Sequence, residues 1–428
     1  MPSAETIMLF AIPMFFVLIG VELLAARIMR RHVYRLNDAI NSIGLGVLSQ
    51  VIGVFTKLLT VGIYAWVVER VALFELPMDS AWVWIGALVL YDFCYYWLHR
   101  CGHEVGILWA AHVVHHQSER YNLSTALRQT GSGALLGWIF YLPLALLGVP
   151  VEVFAVVAVI DLLYQYWIHT ELVPKLGWFD RVFASPSNHR VHHAVNDRYL
   201  DRNYGGIFIL WDRMFGTFAD EREDEPVVYG TRAPLRSWNP LWANAEVYWA
   251  LAKDSWHARR WRDKLRVWFA PPGWRPADVA MRFPKPAFDI ARAEYDPSVP
   301  AALRAYCFLQ FIVLLGLGTV FLQNAARLAA SQAVHAALFL TLGLMTIGAL
   351  LERRRWAILG EVVRLLWLAL WPMLTAAWPG FERLSSDFGI GFAVLATTSV
   401  AWLLLATLWL ARSKRQASMG IAGDRTAS

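Results

Sequence analysis

The sequence predicts an all-α, polytopic membrane helix bundle, and three observations carry that prediction. Hydrophobic residues make up 57% of the 428-residue chain against 17% charged, with a mean hydropathy of +0.41. Nine apolar runs approach or exceed the about 20 residues that a bilayer crossing takes. The composition includes 22 tryptophans, more apolar bulk than a soluble core of this length can hide.

The runs fall near 6–26, 42–66, 81–98, 132–149, 151–169, 302–323, 334–351, 356–377 and 388–411. The first has no basic residue before it and is long enough to span, so it reads as a retained helix rather than a cleaved signal. The second is long enough to tilt or kink. The fourth and fifth are joined only by Gly148-Val149-Pro150, which predicts a tight antiparallel hairpin whose two ends face one side. The chain divides into N-terminal membrane helices (1–80), a histidine-rich domain (81–220), an interfacial or cytosolic segment (221–299), a C-terminal four-helix membrane block (300–412) and a tail (413–428).

Basic loops orient the bundle. Arg27, Arg30, Arg31 and Arg35 follow the first run, Arg353, Arg354 and Arg355 the seventh, and Arg412, Lys414 and Arg415 the ninth. The alternate loops carry at most one basic residue each: Arg70, none in the hairpin, Arg327 and Arg383. This asymmetry predicts an outside N-terminus and places the histidine motifs on the cytoplasmic face, in a bacterial inner membrane or the endoplasmic reticulum. A net charge of +6 is too small for its length to signal nucleic acid, and three cysteines without a CxxC make no disulfide framework.

Between Trp242 and Phe269, Trp249, Trp256 and Trp268 are interleaved with Lys253, Arg259, Arg260, Lys264 and Arg266 at helical spacing. Two readings are equally open there: a helix on the inner leaflet drawn by anionic lipid, or an ordinary amphipathic helix of the cytosolic cap. Glu361 and Arg364, one turn apart in the eighth run, read as a self-neutralising structural pair.

Nine of the 12 histidines lie within residues 99–193: His99 and His103, then His112, His115 and His116, then His169, then His189, His192 and His193. Residues three or four apart share a helix face, so each motif can aim two rings at one point. Adjacent histidines diverge by about 100° on a helix of 3.6 residues per turn, so HxxHH suits two metals close together better than one. Nine imidazoles exceed what two zinc ions normally take, whereas five- or six-coordinate iron accepts imidazole and leaves room for oxygen. Copper is permitted by ligand softness, and magnesium and calcium want oxygen ligands. The predicted architecture is therefore a helix bundle with a cytosolic, histidine-rich di-metal cap. Outer partners are sought in Asp92, which shares a stripe with Tyr96, His99 and His103, and in Asp161 and Gln165, at i+4 steps toward His169. Glu104 beside His103 is a further outer candidate, and Asn188 is placed to cap the helix of the last motif.

The HxxxH, HxxHH, lone His and HxxHH pattern resembles the fatty acid hydroxylase/sterol desaturase superfamily of integral-membrane non-haem di-iron enzymes, over Tyr91–Phe218. Tyr121–Gln129, Leu163–Glu171, Asn203–Phe218, Val227-Val-Tyr-Gly230, the Pro272-Gly-Trp274 turn and the apolar C-terminal block resemble the alkylglycerol monooxygenase family within it. The resemblance implies that the nine histidines surround two iron ions. It also implies that dioxygen hydroxylates the carbon beside an ether oxygen of a membrane lipid, giving aldehyde and a glycerol derivative. Tetrahydrobiopterin is the reductant the resemblance implies. No flavin, nicotinamide or haem motif accompanies it here, so some external electron donor is required. A sterol or fatty-acyl hydroxylase or desaturase of the same superfamily is the alternative. A membrane metal transporter is more remote, because transport needs ligands distributed through the span.

Overall fold

The computed structural model describes residues 4–424, and the side chains of residues 4–405 apart from 5, 9, 57, 58 and 60. Every regular element among them is helical; only two isolated β-bridges occur, Phe183 with Phe208 and Ala194 with Tyr229. The chain forms two compact units, one of residues 1–236 and 241–295, the other of 237–240 and 296–428.

In the first unit, α1 (Ala4–Ile28), α2 (Leu36–Val71) and α3 (Ala81–Glu104) supply the long apolar helices. The outward faces of α1 and α3 stay apolar, with Phe10 and Ile28 each 73% exposed and Trp82 80% exposed, as a lipid-facing helix requires. After α3 come α4 (Gly106–His116) and a one-turn α5 (Leu123–Ala126), whose Asn122 cap accepts from the Ser124 backbone N–H.

The predicted hairpin forms, but neither arm is a full span. Its first arm breaks into α6 (Gly133–Gly137), a 3-10 turn (Trp138–Tyr141) and α7 (Leu142–Leu146); its second is α8 (Val151–Trp167). The 17 residues of α8 reach about 26 Å, short of the roughly 30 Å hydrocarbon core. Of the nine apolar segments, seven are thus long and apolar enough to cross, and two make this shorter hairpin. Gly148 closes it at φ +83, where an added Cβ would lie 1.8 Å from the Phe74 carbonyl oxygen. Only glycine tolerates both the backbone and the approach. Tyr91, Cys94, Leu144, Val153 and Val157 form the core between α3 and the hairpin.

The polar stretch that follows carries α9 (Pro186–His192), α10 (Leu210–Met214), α11 (Pro240–His257), α12 (Trp261–Phe269) and α13 (Ala277–Arg282).

The second unit is a four-helix bundle of α14 (Ala301–Asn324), α15 (Ala330–Leu351), α16 (Trp356–Thr375) and α17 (Glu382–Asp424), in which consecutive helices pack and α14 also meets α17. Glu361 and Arg364 are fully buried and paired at its centre. The carboxylate also accepts from Tyr306 Oη (2.7 Å) and Thr346 Oγ1 (2.7 Å), and Arg364 donates to Gln310 Oε1 at 2.6 Å. Nη1 of Arg364 has no partner among the described residues, so the pair is held through its other donors, and removing one member strands the other charge. Glu361→Gln is therefore expected to destabilise the protein by about 3–5 kcal/mol in detergent unfolding, whereas Glu361→Leu with Arg364→Met should recover most of that loss.

Candidate metal centre

Four helical termini deliver the nine histidines. His99 and His103 lie one turn apart at the end of α3, and His112, His115 and His116 on the last turns of α4. His169 follows the end of α8. His189 and His192 sit on α9, which Ser185 caps by accepting from the Asn188 backbone N–H, with Pro186 in the first turn; His193 closes the helix. The rings gather in two groups, His99, His103, His112, His116 and His192 in one and His115, His169, His189 and His193 in the other. Within each group the donor atoms lie within 4.8 Å of one another. The adjacent pairs His115-His116 and His192-His193 split between the groups, as their divergence on a helix requires. In both HxxHH motifs the i and i+4 rings stay together.

The tautomers are set by the backbone. Nδ1 of His99 donates to the Tyr204 carbonyl (2.8 Å), His115 to Arg128 (2.9 Å), His169 to Gln165 (2.7 Å) and His192 to Arg202 (2.9 Å). A carbonyl can only accept, so each of these nitrogens carries the proton and the neutral ring keeps a lone pair on Nε2. Burial holds seven of the rings neutral: it lowers His115 to about 4 and takes His112, His116, His169, His189, His192 and His193 well below the ordinary range.

Two neutral rings that both carry the proton on Nδ1 do not hydrogen-bond one another through Nε2. Yet Nε2 of His115 and His169, both of this kind, lie 3.1 Å apart; Nε2 of His189 is 3.0 Å from that of His169 and 3.2 Å from that of His193. In the other group Nε2 of His116 is 3.0 Å from that of His112 and 3.2 Å from that of His103. Nε2 of His99 and His192 are buried without a partner. Converging, desolvated lone pairs repel unless a cation lies among them, and the imidazole-rich donor set matches a transition metal. Each of the two groups could hold a metal ion.

The outer partners differ from the sequence expectation. Asp92 bonds to no histidine. It accepts from the backbone N–H of Ile207 (2.6 Å) and Phe208 (3.1 Å) and from Trp211 Nε1 (2.7 Å). It therefore acts on His99 at one remove, by holding the turn whose Tyr204 carbonyl receives the His99 proton. Asp161 accepts from Gln165 Nε2 and also touches no histidine; Gln165 reaches His169 through its backbone carbonyl, not its side chain. Glu104 is paired with Arg100 at 2.9 Å and is half exposed. Asn188 is not the cap of α9, because Ser185 takes that place; its amide donates to the Asp180 and Phe183 carbonyls.

Three residues that matter went unnoticed in the sequence. Asp212 accepts from the backbone N–H of Tyr204 and Gly205 at 2.8 Å each, clamping the same turn from α10. Asp201 is 3.3 Å from His103 Nδ1. Arg128 is buried, donates to the Val114 carbonyl (2.7 Å) and Asn41 (2.7 Å), and presents its own carbonyl to His115. Burial lowers its guanidinium to about 10 against the opposing pull of Asp38. Asp212 reaches back eight residues to Tyr204, Arg128 13 to His115 and Asp201 98 to His103, offsets that helical periodicity does not encode.

A multi-pass helical protein whose helix ends converge on two imidazole groups has the form of a membrane-bound metal oxygenase. The model of the Fatty acid hydroxylase family matches residues 84–217, the stretch that holds all nine histidines. Alkylglycerol monooxygenase of Homo sapiens is 37% identical over 387 residues, covering 90% of this chain and 86% of the relative. The Danio rerio enzyme of the same name is 39% identical over 336 residues, covering 77% and 74%. Ornithine lipid hydroxylase OlsE of Rhizobium tropici is 31% identical over 136 residues, covering 31% and 40%. No solved structure matches. The chain belongs to the alkylglycerol monooxygenase family within the fatty acid hydroxylase superfamily. It is an oxygen-dependent membrane monooxygenase that hydroxylates a lipid.

Asp92→Asn sets an amide against N–H donors that need an acceptor. The expected cost is about 1–3 kcal/mol of unfolding free energy. Proteolysis should cut the 203–217 loop more readily, a change that loss of a direct histidine contact would not produce.

Proposed function

We propose that the chain cleaves the ether bond of alkylglycerols, using two iron ions held by the nine histidines. The observation that carries this reading is the pair of converging imidazole groups, of five rings and four, in a chain related to alkylglycerol monooxygenases along most of its length. Five and four imidazoles suit five- or six-coordinate iron better than tetrahedral zinc, and softer ligands would favour copper more clearly. When bound, the iron pair would activate dioxygen and supply the oxidising power.

The protein's own groups prepare the site. His99, His103, His112, His116 and His192 would hold one ion and His115, His169, His189 and His193 the other. The Tyr204, Arg128, Gln165 and Arg202 carbonyls keep four of these rings in the tautomer that offers Nε2. Burial of all nine donor rings but His112, which is half-buried, limits water that would quench an oxidant.

The reaction consumes one dioxygen, two electrons and two protons. One oxygen atom becomes the hydroxyl on the carbon beside the ether oxygen, and the other leaves as water. The hemiacetal then collapses: its hydroxyl proton passes to the glycerol oxygen as the C–O bond breaks, releasing a fatty aldehyde. The electrons come from an external donor, for which tetrahydrobiopterin is the first choice. The basic loops after the first, seventh and ninth apolar runs favour a site facing the cytoplasm, in a bacterial inner membrane or the endoplasmic reticulum.

Purified protein given labelled alkylglycerol, reduced pterin and isotopically labelled dioxygen is expected to yield fatty aldehyde, trapped by reduction, that carries one labelled oxygen. Hydroxylated sterol or acyl chain without aldehyde would move the reading to another lipid of the same superfamily. Metal analysis provides a second test. His189→Ala should lose the ion of the four-histidine group and keep that of the other, and His103→Ala should do the reverse. Full metal content in both variants would overturn the ligand assignment.

A further inference from the structure

Helices α11 and α12 present an aromatic and basic face that neither the spans nor the metal centre explains. On α11, Trp249 and Trp256 lie two turns apart and are 55% and 80% exposed. On α12, Trp261, Leu265 and Phe269 recur every fourth residue and are 80%, 66% and 66% exposed. Neither helix is among the seven that can cross a bilayer. The nine residues of α12 reach only about 14 Å, and α11 carries Glu246, Lys253 and Asp254 in its interior.

The exposed stripe is held from behind. Val267 is buried, and the Ala270 carbonyl accepts from the Gly106 backbone N–H at 3.0 Å, where α4 begins. A Cβ on Gly106 would lie 3.0 Å from the Val267 carbonyl oxygen, so the two helices meet backbone to backbone. Lys264 Nζ donates to the Ser255 (3.1 Å) and Trp256 (2.8 Å) carbonyls, tying α12 to the end of α11. The apolar side chains therefore cannot fold inward.

The charge around the stripe is predominantly basic. Residues 240–282 hold eight basic and four acidic side chains. Two of the acids are already committed, Asp254 to Arg275 at 2.7 Å and Asp278 to Arg282 at 3.1 Å. Arg259, Arg260 and Arg262 have no carboxylate within ion-pair distance among the described residues. Lys253 stands between Trp249 and Trp256, and Arg262 and Arg266 flank Trp261 and Leu265. A protein partner would meet an apolar patch depleted of charge at its centre. Cations interleaved with tryptophans instead match a surface that is apolar below and anionic above.

We propose that this face of α11 and α12 lies on the anionic surface of the bilayer. Trp249, Trp256, Trp261, Leu265 and Phe269 enter the boundary between headgroups and chains. Lys253, Arg259, Arg260, Arg262 and Arg266 meet lipid phosphates. Because α12 is fastened to the start of α4, this contact sets the depth of the helix that carries His112, His115 and His116.

The test uses full-length protein with Cys101→Ser, bearing a nitroxide at Trp256→Cys or Leu265→Cys, and at Glu223→Cys as the aqueous control. Each is reconstituted in phosphatidylcholine vesicles with or without phosphatidylglycerol, and metal content equal to the parent shows that each variant folds. With phosphatidylglycerol, the ratio of oxygen to nickel-chelate collisions at 256 and 265 is expected to exceed the control several-fold. Lys253→Glu with Arg260→Glu and Arg262→Glu should bring it back toward the control, since each basic side chain at such a surface changes the partition about fivefold. Ratios equal to the control would overturn the proposal. So would labels shielded from both reagents, which would mean that protein covers the face. A rise of equal size without phosphatidylglycerol would overturn the assignment to anionic lipid.

Discussion

The structure depends on one electrostatic constraint: buried neutral imidazoles whose Nδ1 protons are spent on backbone carbonyls must face one another with bare Nε2 lone pairs. The 3.1 Å contact between such nitrogens of His115 and His169 is unfavourable without a cation and favourable around one, and Nε2 of His99 and of His192 is buried with no partner. Metal bound among these rings would couple the folding of 99–193 to metal binding and would compensate for the desolvation of polar rings in this interior. The carbonyls that fix the tautomers come from loops, at Tyr204, Arg128 and Arg202, and from the last turn of α8 at Gln165. The carboxylates in turn fix the loops. Asp92 and Asp212 hold the Tyr204 turn from two sides, and an added Cβ at Gly206 would lie 2.8 Å from both Asp92 and Asp161.

The membrane helices serve this arrangement by ending where they do. The nine histidines stand at helix ends or just past them, which leaves the spans apolar and brings α3, α4, α8 and α9 together at one level. The short hairpin contributes to that geometry, since α8 ends at Trp167 and hands over directly to His169. The C-terminal bundle solves a separate problem within itself, where Tyr306, Thr346 and Gln310 hydrogen-bond the buried Glu361–Arg364 pair.

Much of this was legible in the sequence because helical offsets are local. The i, i+4 spacing of the histidines, the divergence of adjacent ones and the turn at Gly148 all follow from residues a few positions apart. The helix class and the apolar segments follow from composition. The differences are of two kinds, contacts made across the chain and local choices between neighbouring positions. Asp92 lies on the same stripe as His99, yet its partners are Ile207, Phe208 and Trp211, more than 100 residues on. Asp201 and Arg128 escaped notice because loops, not periodic helices, bring them to the rings. Glu104 was read by adjacency to His103, whereas on a helix its neighbour is Arg100. The cap of α9 was read one turn late, at Asn188 instead of Ser185.

The central claim is that two inequivalent histidine groups, of five and four rings, each hold one iron. Mössbauer spectroscopy of the full chain loaded with isotopically enriched ferrous iron tests it most directly. Two quadrupole doublets of equal area are the predicted result, with His189→Ala removing one of them. A single doublet, or no uptake of iron by a folded protein, would contradict it.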